Sequence, residues 1–178
     1  MHRLFAAIRP PEPVRDLLID VMDAGVSDFR WQSDEQLHLT LRFIGEVERP
    51  LANDIASELG RVQFPAFQLR IAGIGKFERR SGGVLWAGIE PKSEMVALAS
   101  KIERACQSAG VEPEHRAFHP HITLARWSGR RTGEVDGILK RHHTLKSEPF
   151  GVDSFILYES RLSRHGAHYE AVAEYALA

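Results

Sequence analysis

One four-residue pattern, consisting of histidine, an aliphatic residue, threonine and leucine, occurs twice in this chain. The first copy is HLTL at residues 38–41, and the second is HITL at residues 121–124, almost half the chain away. Because the side chains of an extended strand alternate between two faces, each copy places its histidine and threonine on one face and its aliphatic residues on the other. The repeat therefore predicts two strands that bury an aliphatic face and present imidazole and hydroxyl groups opposite to it.

The rarity of threonine makes this repeat specific. With nine histidines and four threonines in 178 residues, chance gives about 0.2 histidine-x-threonine triplets. Three such triplets occur, and the third, HHT at residues 142–144, lacks the aliphatic alternation and has charged neighbours. We predict that this third triplet is the solvated end of a helix without a catalytic role.

Apolar periodicity, interrupted by glycine and proline, predicts alternating strands and helices. Strands are predicted at residues 4–8, 31–44, 66–74, 84–89, 121–125, 150–158 and 168–175. Helices are predicted at residues 12–24, 50–60, 91–109 and 134–142. The glycine- and arginine-rich segment 76–83 is predicted to be the turn between two of the strands.

The chain contains no proline-rich or low-complexity linker between its halves. We therefore predict a single domain, residues 1–178, made of two interleaved lobes of similar design. The repeated pattern relates the lobes by an approximate dyad, and each lobe is expected to hold strands and a covering helix.

Composition restricts the partners of this chain. Its net charge of −1 and pI near 6.8 provide no chain-wide attraction to nucleic acid or to an acidic membrane, so any polyanion must bind a local patch. The single cysteine, Cys106, excludes a disulfide within the chain, which suits a reducing cytosol. The apolar run at residues 4–8 is too short for a signal peptide. We expect a cytoplasmic protein without membrane spans, and nothing in the sequence demands an oligomer.

Two histidines and two threonines at a dyad would suit phosphodiester cleavage. One imidazole can take a proton from water, the other can give a proton to the departing oxygen, and the hydroxyls can hold phosphoryl oxygens. Histidine suits both roles because its ordinary pKa of about 6.5 allows both protonation states at working pH.

The two motifs, with LYESRLSRHGAHYE at residues 157–170, resemble those of the 2H phosphoesterases, and specifically the RNA 2',3'-cyclic phosphodiesterases once called 2'-5' RNA ligases. The resemblance extends to RLFAAIRPPEPVRDLL at residues 3–18 and VLWAGIEP at residues 84–91. It implies a bilobed α+β fold, with two pseudo-symmetric lobes whose antiparallel sheets line a central cleft and whose helices lie outside.

The same resemblance implies metal-independent hydrolysis of a terminal 2',3'-cyclic phosphate of RNA to a 2'-phosphomonoester, without any cofactor. It leaves reversible 2'-5' RNA ligation open. By motif position, His38 is implied to be the proton donor to the 3'-oxygen and His121 the proton acceptor that activates water. Thr40 and Thr123 are implied to bind the phosphate. The residues alone do not order the two histidines.

Further residues are candidates for binding RNA. Regular alternation places Arg126 on the face of Leu124, so a twist is needed to aim it at phosphate, and the resemblance favours that role. Proteins bind single-stranded RNA ends by stacking aromatic side chains on the bases and by pairing arginine with the phosphates. Phe43, Trp31 and Arg130 are therefore candidates for contacts with RNA. For Phe43, a position in the core is the alternative.

Two other classes of function stay open at this stage. Nine histidines would also fit a metal hydrolase, with ligands drawn from His38, His119, His121, His142 and His143, although the duplicated threonines would then have no purpose. A non-catalytic module that binds RNA ends would use the same motifs only to hold phosphate. The natural substrate is also open among a tRNA fragment, an oligonucleotide, a cyclic nucleotide and an ADP-ribose cyclic phosphate.

Overall fold

The computed structural model describes residues 1–22 and 28–178. The strands are β1 His2–Ile8, β2 Arg30–Trp31, β3 Leu39–Val47, β4 Phe67–Arg79, β5 Gly82–Glu90, β6 Ile122–Ser128, β7 Phe150–Val152, β8 Ser154–Ser163 and β9 Gly166–Ala176. The helices are α1 Glu12–Met22, α2 Arg49–Leu59, α3 Ser93–Ala109 and α4 Thr132–Arg141, with one 3₁₀ turn at Asp34–Gln36.

Most predicted elements are confirmed, and three predictions need correction. The strand predicted at 31–44 is two strands separated by the 3₁₀ turn, and the strand predicted at 150–158 is divided between β7 and β8. The predicted turn at 76–83 is wrong, because β4 and β5 pair through it and leave only two residues between them. The last two residues of the helix predicted at 12–24 lie outside the described residues.

The strands form one antiparallel sheet in the order β7-β4-β5-β6-β3-β1-β8-β9, with β2 added beside β6. The two motif strands, β3 and β6, are neighbours at its centre, and a single pair, Leu39 opposite Ile122, joins them. Four strands lie on each side of this junction. The order of strands is therefore symmetric about the two motifs.

The core lies on the aliphatic face of the motif strands. Leu39 and Ile122 are both 0% exposed, as their positions in the motif predict. Helix α2 packs against α3, and α3 packs against β3. The apolar stripe of α3 is buried, and it contains Met95, Leu98, Ile102 and Cys106. Burial also raises the pKa of the Cys106 thiol to about 11, so this thiol is unreactive.

Each motif strand contains a β-bulge at the same motif position. Between β1 and β3, Ala7 pairs with Thr40 and Ala6 with Arg42, so Leu41 is the extra residue. Between β5 and β6, Trp86 pairs with Thr123 and Leu85 with Ala125, so the residue after Thr123 is extra. A bulge shifts the alternation of all residues that follow it by one.

The two bulges turn the fifth residue after each motif histidine onto the histidine–threonine face. In β3 this residue is Phe43, which is 40% exposed although regular alternation would put it with Leu41. In β6 it is Arg126, which is exposed after two consecutive buried residues, Leu124 and Ala125. The twist that Arg126 needs is therefore present as a bulge.

The ring of Trp127 in β6 packs over Gly83, near the turn of the long β4–β5 hairpin. A Cβ atom at Gly83 would collide with the Trp127 ring and lie 2.7 Å from the carbonyl oxygen of Phe77. We expect Gly83→Ala to reduce the free energy of unfolding by about 1–3 kcal/mol, the usual cost of overpacking. Urea unfolding followed by fluorescence measures this loss. Gly151→Ala is the matched control, because nothing lies within 4 Å of a Cβ atom there. Equal stability of the two variants would contradict the packing argument.

Candidate active site

The two motifs meet across the β3–β6 junction. In antiparallel register, the pair Leu39–Ile122 brings His38 opposite Thr123 and Thr40 opposite His121, on the face away from the core. Each motif histidine is thus opposite the threonine of the other motif. The two histidines and two threonines that the sequence predicts to share a surface are brought together.

His38 is enclosed by aromatic rings. Its ring centroid lies 4.6 Å from that of Tyr158, 5.2 Å from Tyr169 and 5.9 Å from Phe5. His38 is only 6% exposed. Burial, with a further contribution from the positive charges of Arg9 and Arg15, lowers its pKa to about 4, although a hydrogen bond to a backbone carbonyl acts in the opposite direction. In the free protein His38 is therefore neutral at neutral pH.

His121 has a related but more open environment. Its ring lies 5.2 Å from the ring of Phe77 and 6.3 Å from that of Trp86. Burial is the main cause that lowers its pKa, and the charges of Arg126 and His119 add to the effect. His121 is thus also biased toward the neutral form, which is the form that can accept a proton.

Both histidines are oriented by the same local hydrogen bond. His38 Nδ1 lies 2.9 Å from the carbonyl oxygen of Gln36, and His121 Nδ1 lies 2.5 Å from that of His119. A carbonyl can only accept, so each Nδ1 carries the hydrogen. Nε2 is then the nitrogen of each ring that is left for the substrate.

An ion-pair network fixes the segment before His38. Arg9 donates to the carbonyl oxygens of Asp34 at 2.7 Å and Leu37 at 2.9 Å, and Arg15 Nε donates to the Asp34 carboxylate at 2.9 Å. The Gln36 amide reaches the carbonyl of Ala167 in β9 at 2.8 Å. These bonds hold the Gln36 carbonyl that orients His38. Sequence reasoning missed this network because its members are distant in the chain.

A cavity of about 420 Å³ opens beside the motif junction. Its wall includes Thr40, His121 and the two partly exposed rings of Phe43 and Phe77. Arg42 closes its base, buried and ion-paired with Glu103, and it also donates to the carbonyl of Glu112 at 2.7 Å. Arg42 is therefore committed to the fold.

The other predicted site residues lie at different distances from the junction. The guanidinium of Arg3 lies over the Phe43 ring, 5.3 Å from the ring centroid. Trp31 packs beside Phe29, with 5.6 Å between ring centroids, and lines a separate groove near the β8–β9 hairpin. Arg130 is exposed in the loop that follows β6. Phe77 was not singled out from the sequence, because it falls in the segment predicted to be a turn.

Comparison with known proteins agrees with this geometry. Residues 10–164 match the model of the 2'-5' RNA ligase superfamily. The chain belongs to this superfamily. It is 35% identical over 144 residues to an RNA 2',3'-cyclic phosphodiesterase of Aeropyrum pernix, covering 79% of this chain and 82% of that protein. It is 30% identical to the protein of the same name from Escherichia coli K12, covering 99% and 97%.

Solved structures of superfamily members share the fold. The crystal structure of apo LigT from E. coli superimposes with a TM-score of 0.81 at 27% identity, covering 99% of this chain and 97% of that one. E. coli LigT complexed with 3'-AMP gives a TM-score of 0.82 with the same identity. The α+β fold with two pseudo-symmetric lobes, which the resemblance implied, is confirmed. None of the described helices is both long enough and apolar enough to span a bilayer.

The pKa of His38 gives a direct test of the aromatic enclosure. We expect the His38 imidazole to titrate near pH 4 in the free protein, and inorganic phosphate to raise this pKa because an adjacent anion favours the charged form. NMR titration of the histidine ring signals, assigned with His38→Asn, measures both values. A titration midpoint near 6.5, the ordinary value for histidine, would contradict the enclosure.

The lowered pKa also links stability to pH. Between about pH 6.5 and pH 4 the unfolded chain binds a proton at His38 that the native protein does not, so acidification through this range reduces stability. The loss approaches about 1.4 kcal/mol per pH unit. Urea unfolding at several pH values should show a shallower dependence for His38→Asn than for the parent protein, and equal slopes would count against the shift.

Proposed function

We propose that the protein hydrolyses the terminal 2',3'-cyclic phosphate of RNA to a 2'-phosphomonoester, with His38 as the proton donor and His121 as the proton acceptor. The observation that supports this most is the junction itself, where each imidazole lies opposite the threonine of the other motif. Membership of the 2'-5' RNA ligase superfamily and similarity to the named phosphodiesterases support the substrate class.

The proposed reaction is a displacement at phosphorus. His121 Nε2 takes a proton from water as the water oxygen bonds to phosphorus, and the bond from phosphorus to the 3'-oxygen breaks. His38 Nε2 gives its proton to that oxygen, so the phosphate stays on the 2'-oxygen. The same displacement with the 5'-hydroxyl of a second RNA in place of water would form a bond from phosphorus to the 5'-oxygen as the bond to the 3'-oxygen breaks, which gives a 2'-5' linkage. The same site therefore accommodates ligation.

The donor must be charged when the substrate is bound. A cyclic phosphate carries a negative charge, and an anion beside His38 raises the pKa that burial has lowered. Because His38 must be protonated and His121 neutral, the rate should fall on both sides of an optimum pH.

Three further residues complete the proposed phosphate site. Thr40 and Thr123 supply hydroxyl donors at the junction, and Arg126 supplies a guanidinium on the same face beyond the β6 bulge. Donors aimed at the oxygens where charge develops stabilise the transition state. Arg126 is close enough to His121 to lower its pKa, which supports a position near the phosphate.

The cavity beside the junction suits the terminal nucleobase. Phe43 and Phe77 offer partly exposed rings there, and single-stranded bases stack on such rings. Trp31 and Arg130 are farther along the surface and would contact the rest of the RNA. We propose a single-domain, monomeric, cytoplasmic enzyme that needs no cofactor.

Geometry does not favour the metal hydrolase. Within residues 1–22 and 28–178, no group of three or more histidine, cysteine, aspartate or glutamate side chains converges as metal ligands would. The RNA-end binding module is distinguished by turnover, which such a module would lack.

We expect His38→Ala and His121→Ala each to reduce kcat/KM on cyclic-phosphate RNA by about 10²–10⁴-fold, the usual contribution of a general acid or base. Initial rates measure this loss, and urea unfolding checks that the fold persists. His142→Ala is the matched control, because it alters the third histidine-x-threonine triplet, which lies at the end of α4. A His38 or His121 variant with near-parental turnover would contradict the assignment.

The position of the product phosphate tests which oxygen is the leaving group. RNA ending in a 2',3'-cyclic phosphate is incubated with the protein in the presence of a chelator, and the product is identified by chromatography against 2'- and 3'-phosphate standards. We expect a 2'-phosphate and undiminished activity. A 3'-phosphate would refute the leaving-group assignment, and a loss that zinc restores would revive the metal hydrolase.

A further inference from the structure

We propose that a basic strip running from the motif junction to the tip of the β4–β5 hairpin binds the RNA backbone on the 5' side of the cyclic phosphate. The strip, called here the arginine face, consists of Phe77, Arg126, Arg30 and Arg79. The proposal rests on the proposed function and adds to it a second binding surface that selects polynucleotide over mononucleotide substrates.

Strand register brings these residues to one face of the sheet. Arg126 pairs with Val84 in β5 and with Arg30 in β2, and Val84 pairs with Phe77 in β4. Residues directly opposite each other in antiparallel strands share a face, so these four form one row across the sheet. The β6 bulge makes this row continue the face that carries Thr123.

A second row lies one step nearer the hairpin tip. There Ser128 pairs with Gly82, and Gly82 pairs with Arg79. Arg79 is two residues beyond Phe77 and therefore lies on the same face. From Thr123 to Ser128 the strand covers about 15 Å at 3.3 Å per residue. The arginine face thus begins next to the phosphate site and leads away from it.

The positive charges of the arginine face have no acidic partner among the described residues. Arg30, Arg79 and Arg126 are exposed and form no ion pair with any residue in 1–22 or 28–178. The neighbouring Arg131 differs, because it pairs with Asp28 at 2.9 Å. Glu78, between Phe77 and Arg79, points to the other face of β4 and pairs with Lys76 at 3.4 Å. The paired positions of the two rows therefore contain no acidic residue, and Asp28, two residues before Arg30, pairs with Arg131.

The chemistry of the arginine face indicates that its ligand is single-stranded RNA. Exposed guanidinium groups interleaved with an exposed ring, Phe77 at 41% exposure, are typical of surfaces that bind single-stranded nucleic acid. A 2',3'-cyclic phosphate is by definition at the 3' end, so all remaining nucleotides extend to its 5' side. A chain with a net charge of −1 has no general attraction for RNA, and a local strip of this kind would supply it.

The test compares an RNA with a mononucleotide. For the variant Arg30→Ala/Arg79→Ala we expect KM to rise about tenfold on a cyclic-phosphate RNA of about eight nucleotides, a length within the usual site size. The kinetic constants on 2',3'-cyclic AMP should stay unchanged. The slope of log KM for the RNA against log salt concentration should shrink by about 1.4, or about 0.7 for each RNA phosphate that an arginine no longer neutralises.

The control variant is Arg49→Ala/Arg104→Ala, which removes the same charge from exposed positions on α2 and α3. Equal effects of the two double variants on KM for the RNA, or no effect of Arg30→Ala/Arg79→Ala, would overturn the proposal.

Fluorescence anisotropy with RNA ending in a 2'-phosphate measures binding to the same surface without turnover. Absence of hydrolysis of either substrate by the parent protein would refute the proposed function, and weaker anisotropy binding by Arg30→Ala/Arg79→Ala alone would still support the arginine face.

Discussion

The pairing of Leu39 with Ile122 is the interaction on which the rest of the site depends. It is the single register pair between the two halves of the sheet, and both side chains are fully buried. Burial of such a side chain is worth about 1.5–3 kcal/mol. The same alternation that buries these two residues turns His38 and His121 to the opposite face of the sheet, each across from the threonine of the other motif. The hydrophobic core and the chemistry are therefore fixed by one register, and a slip by one residue would disrupt both.

The bulges in β3 and β6 occur at the same motif position, so the two backbones are similar there. The side chains that follow the bulges differ. The residue five positions after each histidine is Phe43 in one motif strand and Arg126 in the other. One side of the junction consequently offers a ring beside a cavity, and the other offers a cation that continues into the arginine face. A substrate with a base on one side of the phosphate and a charged backbone on the other matches this difference. Under the proposed function, the repeated motif supplies two acid–base groups, and the difference between Phe43 and Arg126 sets the direction in which the substrate binds.

The motif and its alternation predicted the central strands, the buried aliphatic face and the shared histidine–threonine surface. The bulges could not be predicted in this way, because a bulge is defined by the pairing with the neighbouring strand, and one sequence does not give that pairing. The exposure of Phe43 and Arg126 follows from them. Arg9, Arg15 and Asp34 were missed because an interaction between β1, α1 and the 3₁₀ turn leaves no periodic signal. The segment 76–83 was misread because glycine and arginine are typical of turns, whereas here Gly82 and Gly83 leave room for Trp127.

The enclosure of His38 determines what its proposed role as proton donor requires. With a pKa of about 4, His38 carries no proton to give at neutral pH until an anion arrives. In the proposed reaction the bound phosphate offsets both the burial and the charges of Arg9 and Arg15, so proton uptake and substrate binding would favour each other. His121 is more open than His38, yet burial is still the main cause that lowers its pKa, and Arg126 adds to the effect, so the neutral form that can accept a proton is favoured. The two halves of the sheet thus set unequal environments around chemically identical rings, and the more enclosed ring, His38, is the one whose pKa a bound phosphate must raise for the proposed order of donor and acceptor.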